Sequence, residues 1–255
     1  MRPILFPAGA FAQPGGMVGD ANTAVQFAPN PPNAAINAPS THPTIVSPNT
    51  TDFGFGSGGS FSLEYWLKVA PGNTSSNDAG VIVKGYDSAQ VTPWYMTRYR
   101  PNVGGGTVDL FLRDPGGASF TTNSSTNLTD DQWHHVVGIY DSTVAEIQIF
   151  VDGVQEGSQG GVAPAAYGTN TRPFTIGNHY NRGFDGLLDE VAVYDSALDV
   201  VQIATHYFEG SGTSPDPLLN IDFGSCPGRC TPTANCIATY SSPGPPTEGP
   251  PPTTG

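Results

Sequence analysis

The chain has 255 residues, of which 37% are hydrophobic, and this length and composition suffice for one buried core. Nine Lys and Arg residues stand against 22 Asp and Glu residues, so the formal net charge is −13, and the sequence lacks the basic clusters that bind duplex nucleic acid or anionic membrane surfaces. It also lacks any run of about 18 apolar residues, so neither a nucleic-acid-binding protein nor a membrane-inserted one is predicted.

Residues 1–16 are interrupted by proline and glycine and have no regular periodicity. Their apolar patch is broken, whereas a secretory signal peptide needs roughly 7–15 uninterrupted apolar residues. We therefore expect an extended N-terminal arm and no signal peptide. From Met17 onward, VGDANTAVQF predicts a turn and an edge strand, and irregular chain with short β segments at 34–36 and 44–46 is expected to follow.

Alternation along the segment FSLEYWLKV predicts a half-buried strand. The pattern places Phe61, Leu63, Tyr65, Leu67 and Val69 on one face, and Ser62, Glu64, Trp66 and Lys68 on the other. Further short strands are predicted in AGVIVKG, TPWYMTRYR and TVDLFLR, separated by glycine-rich turns. The segments WHHVVGIY, VAEIQIFV and FTIGN are also rich in strand-forming residues, so the chain is predicted to be mostly β.

The stretch from Trp133 to Leu198 resembles the laminin-G-like, or concanavalin A-like, jelly roll in its bacterial and phage form. WHHVV, FVDG and FDGLLDEVAVYD carry the resemblance in this order, and it extends over roughly residues 17–208. It implies an all-β, antiparallel two-sheet jelly-roll sandwich with one short C-terminal helix. Because this family mostly binds ligands, the resemblance also implies a non-catalytic binding function.

Beyond Asp195 the spacing of apolar residues changes from that of a strand to that of a helix. Ser196 is predicted to be the N-cap of a helix over ALDVVQIATHYF, and Gly210 is predicted to end it. The jelly-roll domain is therefore expected to occupy residues 17–210.

Two further segments follow the predicted domain. Residues 211–239 are expected to form a cysteine-containing tail, in which LLNIDF could supply a last strand. Its three cysteines, Cys226, Cys230 and Cys236, leave three states open: a local disulfide with one free thiol, three reduced thiols, or a metal site that no nearby histidine completes. Residues 240–255 have the composition of a proline-rich linker or tail.

Acidic residues with the spacing of a glycanase active site are missing from the sequence. Retaining enzymes place two carboxylates about 5–5.5 Å apart, on alternate residues of one strand in this fold. Glu64 and Glu146 have no acidic partner two residues on, and the group Asp185, Asp189 and Glu190 has the wrong spacing. No enzymatic activity is therefore predicted.

Two parts of the sequence are candidates for metal binding. His134 and His135 are adjacent, so in a strand they point to opposite faces and cannot chelate one ion. The resemblance implies one structural Ca²⁺ ion, because members of the family often carry one, and it assigns Asp189 of the DEV strand as a ligand. The alternative is that Asp189 accepts hydrogen bonds from backbone N–H groups. No other cofactor is predicted.

Two segments are candidates for a carbohydrate-binding site because they combine aromatic rings with planar hydrogen-bonding groups. The candidates are Trp94, Tyr95, Arg98 and Tyr99 on one predicted strand, and His179, Tyr180, Asn181 and Arg182 in the loop before FDG. The alternative is that the aromatic residues fill the core of the sandwich. Because side chains alternate along a strand, only one of Trp94 and Tyr95 can face a ligand.

The sequence therefore predicts a binding or structural module at a virion surface or outside the cell. The leading interpretation is a tail component or capsid decoration protein of a tailed bacteriophage, which binds the protein subunits of an assembly, as a homo-oligomer, or host-surface carbohydrate. The resemblance and the extended proline-rich ends favour it, since such ends can thread across neighbouring subunits. The alternative is a glycan-binding or adhesion module of a secreted bacterial protein, and a glycanase is third.

Overall fold

The computed structural model describes residues 13–19, 21, 23–27, 44–47, 53–71, 78–85, 93–179 and 182–213. Contacts divide the chain into the units 1–213 and 214–255, and every described residue belongs to the first. The candidate last strand LLNIDF, the three cysteines and the proline-rich tail lie outside the described residues. Within the described part, no helix is long and apolar enough to cross a membrane.

The described elements are short strands followed by one helix. The first strands are β1 (Gln13–Pro14), β2 (Thr23–Phe27), β3 (Ile45–Ser47), β4 (Phe61–Lys68) and β5 (Ala79–Lys84). The next are β6 (Trp94–Arg100), β7 (Thr107–Arg113), β8 (Ser119–Asn123), β9 (Trp133–Asp141) and β10 (Glu146–Val151). The last are β11 (Val154–Gly160), β12 (Phe174–Ile176), β13 (Asn178–His179), β14 (Arg182–Gly183) and β15 (Gly186–Tyr194), before α1 (Val200–Ser211).

The strands form two large antiparallel sheets and one small hairpin. A seven-stranded sheet has the order β1-β2-β15-β4-β9-β10-β11, and a six-stranded sheet has the order β3-β12-β5-β6-β7-β8. The strands β13 and β14 pair only with each other. The prediction of an all-β, two-sheet jelly-roll sandwich with one short C-terminal helix is confirmed.

The core lies between the two sheets and is filled by alternate residues of their strands. Phe61, Leu63, Tyr65 and Leu67 of β4 pack in one cluster with Tyr95 and Tyr99 of β6, Val108, Leu110 and Leu112 of β7, and Val136 and Tyr140 of β9. Large aromatic rings account for much of this volume, and Phe61 stacks against Phe55 at a centroid distance of 4.5 Å. The period-two pattern of β4 thus identified the inward face correctly.

The outward face of β4 is also buried, contrary to the prediction of a half-buried strand. Helix α1 covers this side of the seven-stranded sheet, where Leu198 and Ile203 pack on Val137, Ile139 and Phe150. Gly210 of the helix lies against Trp66, since a Cβ at Gly210 would be 2.4 Å from Cζ2 of the indole. The alternation of β4 could not reveal this layer because the helix comes from a distant part of the chain.

The start of the helix differs from the prediction. Asp199, not Ser196, is the N-cap: its Oδ1 accepts hydrogen bonds from the backbone N–H groups of Val201 (2.9 Å) and Gln202 (2.8 Å). Gln202 Oε1 in turn accepts from the N–H of Asp199, which completes a capping box. The helix runs to Ser211, one residue past the predicted end, and Gly212 follows in the left-handed conformation.

The N-terminal segment also differs from the prediction in two respects. The strand β2 is not at an edge, because β1 pairs with it on the outer side, so the two residues of β1 belong to the sheet although they fall in the predicted arm. The β segment predicted at 44–46 is present as β3, and the one at 34–36 lies outside the described residues.

Candidate functional site

The outward side chains of β6, β7 and β8 lie in rows on the six-stranded sheet, and Trp94, Met96 and Asp109 among them are buried. The register aligns Arg98, Asp109 and Asn123 in one row, Met96, Phe111 and Thr121 in the next, and Trp94, Arg113 and Ser119 in a third. Arg100 extends this surface at the end of β6. We call these ten residues the arginine face.

Charged groups at one end of the arginine face are tightly paired. Arg98 donates to both carboxylate oxygens of Asp109, from Nε at 2.9 Å and from Nη2 at 2.5 Å, and its guanidinium lies 4.7 Å from the centroid of the Phe111 ring. Burial raises the pKa of the fully buried Asp109, and the Arg98 guanidinium opposes this effect. The pair therefore fixes a planar cation on an aromatic ring.

Arg100 is the more accessible of the two arginines at this end. Its Nη1 donates to Oδ1 of Asn123 at 2.5 Å, and Asp78 lies within 3.7 Å of its Nε. Asp78 is also 3.5 Å from Nη1 of Arg98. Since Asn123 is exposed, this part of the face presents guanidinium, amide and carboxylate groups to solvent.

The hairpin β13–β14 brings the second predicted segment to the same end of the sheet. His179 lies directly against Gly80 of β5, which pairs with Arg98, and a Cβ at Gly80 would be only 2.7 Å from that of His179. Burial lowers the pKa of His179 to about 3, and the positive charges of Arg182 and Arg98 add to the effect. His179 is therefore a neutral imidazole, and Arg182 beside it is exposed.

The predicted ligand-binding residues thus fall into three groups. Arg98, Trp94, His179 and Arg182 lie on or beside the arginine face, although Trp94 is only 2% exposed and stacks on Phe111 at 4.9 Å. Tyr95 and Tyr99 point inward, where their hydroxyls bond the Phe53 carbonyl oxygen (3.0 Å) and Thr129 Oγ1 (2.7 Å). Tyr180 and Asn181 lie outside the described residues.

Asp189, the residue assigned to calcium, is buried at the sheet and bonded to the backbone. Its Oδ2 accepts from the N–H of Gly16 at 2.7 Å, and its Oδ1 from the N–H of Glu190 at 3.1 Å. In the described ranges, no three acidic, histidine or cysteine side chains are grouped to hold a metal ion. A calcium ion at Asp189 stays a prediction, and the contacts seen are those of the backbone-bonding alternative.

A second polar centre, which the sequence did not indicate, lies between α1 and the seven-stranded sheet. Oε1 of Glu64 accepts from Nε2 of His135 (2.7 Å) and Nδ1 of His206 (2.9 Å), and Oε2 accepts from the hydroxyl of Tyr194 (2.5 Å). Burial alone would raise the pKa of Glu64, but these hydrogen bonds hold it at about 2. The spacing of the histidines in the sequence did not indicate this centre, because its four side chains come from four separate elements of the fold.

The hydrogen bonds of Glu64 suit this centre to a structural role, in which it joins the helix to the sheet. A carboxylate held as an anion with every donor in place is a poor proton donor near neutral pH, so Glu64 is unsuited to general acid catalysis. A cavity of about 170 Å³ beside it is lined also by Glu190 and Glu209. The arginine face is therefore the stronger candidate for ligand binding.

Comparisons with known proteins agree with this architecture. Similar solved structures include the binding domain of Paraclostridial Mosquitocidal Protein 1, with 13% identity and a TM-score of 0.55, and the binding domain of botulinum neurotoxin serotype G, with 10% identity and a TM-score of 0.51. They match 74% and 75% of this chain, which spans 44% and 48% of theirs, less than half of each. At these identities the likeness shows the fold.

No curated protein sequence matches the chain. The profile of the concanavalin A-like lectin/glucanases superfamily, in its laminin-G-like form, matches residues 40–204, which is more than half of the chain. The match includes β4 to β15, and with them the arginine face and Glu64, His135 and Tyr194 of the Glu64 centre, whereas His206 lies just beyond it. The family resemblance of the sequence is thereby confirmed, and this chain belongs to the concanavalin A-like lectin/glucanases superfamily.

Proposed function

We propose that this protein is a non-catalytic carbohydrate-binding domain and that a sugar binds at the arginine face beside the hairpin β13–β14. The observation that carries the proposal is the meeting of Arg98, Arg100 and Asn123 at one end of this face, beside His179, whose pKa is lowered by the charges of both Arg98 and Arg182. Planar guanidinium and amide groups can each bond two neighbouring hydroxyls of a sugar ring. Because Asp109 and Phe111 already hold Arg98 in place, part of the site is preorganised.

Two further observations support binding in preference to hydrolysis. The two structures described above are, by their names, the binding domains of a mosquitocidal protein and of a neurotoxin. In this chain, the carboxylate of Glu64 is committed to three donors, and the carboxylate of Asp109 to Arg98. Neither is free to act as the acid or the nucleophile of a glycosidase.

A glycan array with the full chain, followed by titration calorimetry on the sugars that bind, tests this proposal. Arg100→Ala and Asn123→Ala should each weaken binding by about tenfold, because each removes a bidentate group. Arg172→Ala, which changes an exposed arginine outside the face, should bind like the unchanged chain. Arg98 is unsuitable as a test because its removal leaves Asp109 buried without its cation.

Either of two results would overturn the proposal. One is that no sugar on the array binds, and the other is that binding is found but is unaffected by both substitutions. Unfolding curves of each variant, measured alongside, separate a lost contact from a lost fold.

Assembly through protein contacts is the second candidate function. Among the described strands, β3 and β8 are the two outermost of the six-stranded sheet, and Ile45 and Val46 of β3 are 37% and 44% exposed. An exposed apolar edge strand favours pairing with a second copy of the chain. This observation supports a homo-oligomer, and a place on a bacteriophage particle or outside the cell stays a prediction from the sequence.

Mass photometry and negative-stain imaging of the full chain test the assembly. We expect a symmetric oligomer that Val46→Lys disrupts, because a lysine on an edge strand opposes pairing. A monomer at all concentrations would contradict it.

A further inference from the structure

Residues 124–132 cross one end of the sandwich from sheet to sheet. They leave β8 of the six-stranded sheet and enter β9 of the seven-stranded sheet. In the middle of this segment, Leu128 is fully buried and belongs to the core cluster between the sheets. We call residues 124–132 the strap, because they cover this end of the core.

Uncharged groups fasten the strap to the six-stranded sheet. The N–H of Leu128 donates to the carbonyl oxygen of Gly106 at 2.8 Å, and Oγ1 of Thr129 shares a hydrogen bond of 2.7 Å with the hydroxyl of Tyr99. Burial raises the pKa of this tyrosine. Neither bond therefore changes its protonation near neutral pH.

An imidazole between two carboxylates fastens the strap to the seven-stranded sheet. Nε2 of His134 lies 3.2 Å from Oδ1 of Asp130 on the strap, and its Nδ1 lies 2.7 Å from Oδ2 of Asp152 in the turn between β10 and β11. Ionised carboxylates only accept hydrogen bonds, so both contacts are hydrogen bonds only when both ring nitrogens carry a proton. The charged form of His134 is thus the form that holds the strap.

The other elements packed around His134 bring no further charge into contact with the ring among the described residues. Leu67 of β4 stands opposite His134 in the register, and the next residue, Lys68, is paired with Asp131 of the strap at 3.3 Å. Tyr207 of helix α1 lies close enough to Asp152 for the carboxylate to add to the effect of burial, which raises the pKa of this tyrosine. The two carboxylates therefore decide how His134 titrates.

The fold holds these two carboxylates unequally. Oδ1 of Asp152 also accepts from the N–H of His135 at 2.9 Å, and the N–H of Asp152 donates to the carbonyl oxygen of His135 at 2.9 Å. Asp130 is the more exposed, with 42% of its side chain accessible against 29% for Asp152. A neutral imidazole has one N–H, and the shorter bond to Asp152 retains it. The lone pair of Nε2 then faces the carboxylate of Asp130 and repels it.

We propose that the strap is a pH-sensitive closure, which covers the end of the core while His134 is charged and opens at residues 127–132 when the imidazole loses its proton. Opening breaks the bond of Leu128 to Gly106 and brings the Leu128 side chain to solvent. The start of the strap stays in place, because the carboxylate of Glu156 accepts from the N–H groups of Ser125 (2.7 Å) and Thr126 (3.0 Å). Because the pKa of His134 is raised, the closure is complete below pH 6.5 and is lost as the pH rises through the folded value.

Hydrogen exchange of the full chain, followed by NMR from about pH 5.5 to about pH 9, tests this proposal. Each rate is corrected for the intrinsic exchange rate of the amide, which itself rises with pH. The protection of Leu128 and Asp131 should fall about tenfold as His134 titrates in the same spectra, because one charge-assisted bond is lost. The amides of Ser125 and Thr126 should keep their protection, and those at the centre of β9 should stay far more protected than Leu128.

Two variants assign the effect to the contact between His134 and Asp130. Asp130→Asn keeps an oxygen for the N–H of Gln132 but has no charge for a neutral imidazole to oppose, so the protection of Leu128 should no longer depend on pH. His134→Gln has no titrating group and should behave in the same way, which keeps the test sound if Asp130→Asn disturbs the turn. Asp195→Asn, an exposed aspartate outside the strap, should retain the full pH dependence.

Three results would each overturn the proposal. The first is constant protection of Leu128 in the unchanged chain over the whole pH range. The second is a tenfold fall that persists in either variant. The third is equal protection of Leu128 and the centre of β9, because the strap would then open only when the whole domain unfolds. None of these measurements depends on sugar binding at the arginine face.

Discussion

His206 of helix α1 and Glu64 of β4 are 142 residues apart in the chain and meet in a hydrogen bond of 2.9 Å. His135 of β9 bonds the same carboxylate oxygen, and Tyr194 of β15 bonds the other. One buried carboxylate thus joins the helix to the three central strands of the seven-stranded sheet. Because every donor is in place, the charge stabilises the packing instead of opposing it.

Substitution of Glu64 by Gln should destabilise the protein in a pH-dependent manner. The pKa of Glu64 is about 2 in the folded protein and has the ordinary value of 4.5 when unfolded, so its contribution is present above pH 4.5 and is lost as the pH falls through 2. The shift corresponds to about 3 kcal/mol. Urea unfolding should show the full difference from the unchanged chain at neutral pH and a smaller one at acidic pH.

The matched control for this prediction is Glu209→Gln, an exposed glutamate on the same helix. It should change the free energy of unfolding by no more than about 0.5 kcal/mol. A Glu64→Gln penalty that stays constant down to pH 2 would contradict the assignment of the stabilisation to the ionised carboxylate.

His134 should produce the opposite pH dependence. Burial alone would lower its pKa, but Asp152 at 2.7 Å and Asp130 at 3.2 Å raise it above 6.5. A raised pKa means that the contribution is complete below 6.5 and is lost as the pH rises through the folded value. The difference in Tm between the unchanged chain and His134→Gln should therefore shrink from mildly acidic to alkaline pH. A difference that grows with pH would show that the charged imidazole is not the stabilising form.

Gly80→Ala should displace the hairpin β13–β14. The new Cβ would lie 2.7 Å from the Cβ of His179 and 2.8 Å from its backbone nitrogen, so the hairpin has to move. We expect a loss of about 1–3 kcal/mol in the free energy of unfolding, together with weaker sugar binding, because the hairpin that carries Arg182 is displaced from β5. Gly160→Ala is the control, since a Cβ there meets nothing within 4 Å. Equal stability and affinity of the two variants would contradict the role of the hairpin.

Chelation by EDTA should leave Tm unchanged. Both carboxylate oxygens of Asp189 already accept backbone N–H groups, from Gly16 and Glu190, so we expect the chain to fold without a metal there. Asp189→Ala should cost about 1–3 kcal/mol, with or without calcium, because it leaves the half-buried N–H of Gly16 without its acceptor. A rise in Tm with calcium that Asp189→Ala abolishes would instead establish the metal site.

The sandwich was predictable because each strand carries its own pattern. The alternation of apolar residues along β4 assigned Phe61, Leu63, Tyr65 and Leu67 to the core, and glycine-rich turns separated the strands. The helix boundary was missed although Asp199 and Gln202 have the spacing of a capping box. Ser196 is also a good N-cap residue, but the N–H of Leu198, two residues on, donates to the hydroxyl of Ser62 on β4. The sequence thus offered two equally good N-cap residues, and a contact with a distant strand decided between them.

The binding residues were less predictable because their positions also depend on tertiary contacts. Alternation required Trp94 and Tyr95 to face opposite sides, but it could not say which side was the core. That His179 reaches Arg98 depends on Gly80, whose missing side chain makes room for the hairpin. Nothing in the local sequence marks a glycine as the partner of a residue so distant in the chain.

The central position of β15 has a consequence for the way this protein is made. This late strand lies between β2 and β4, and its Gly186 pairs with Phe27 near the start of the domain. During synthesis on a ribosome, β2 therefore has no neighbour on that side until residues of β15 have emerged. Contacts across such long stretches of chain slow folding and leave strand edges exposed in the meantime. We therefore expect folding to be completed only after almost the whole domain has been translated, which makes chaperone binding to the nascent chain important for its yield.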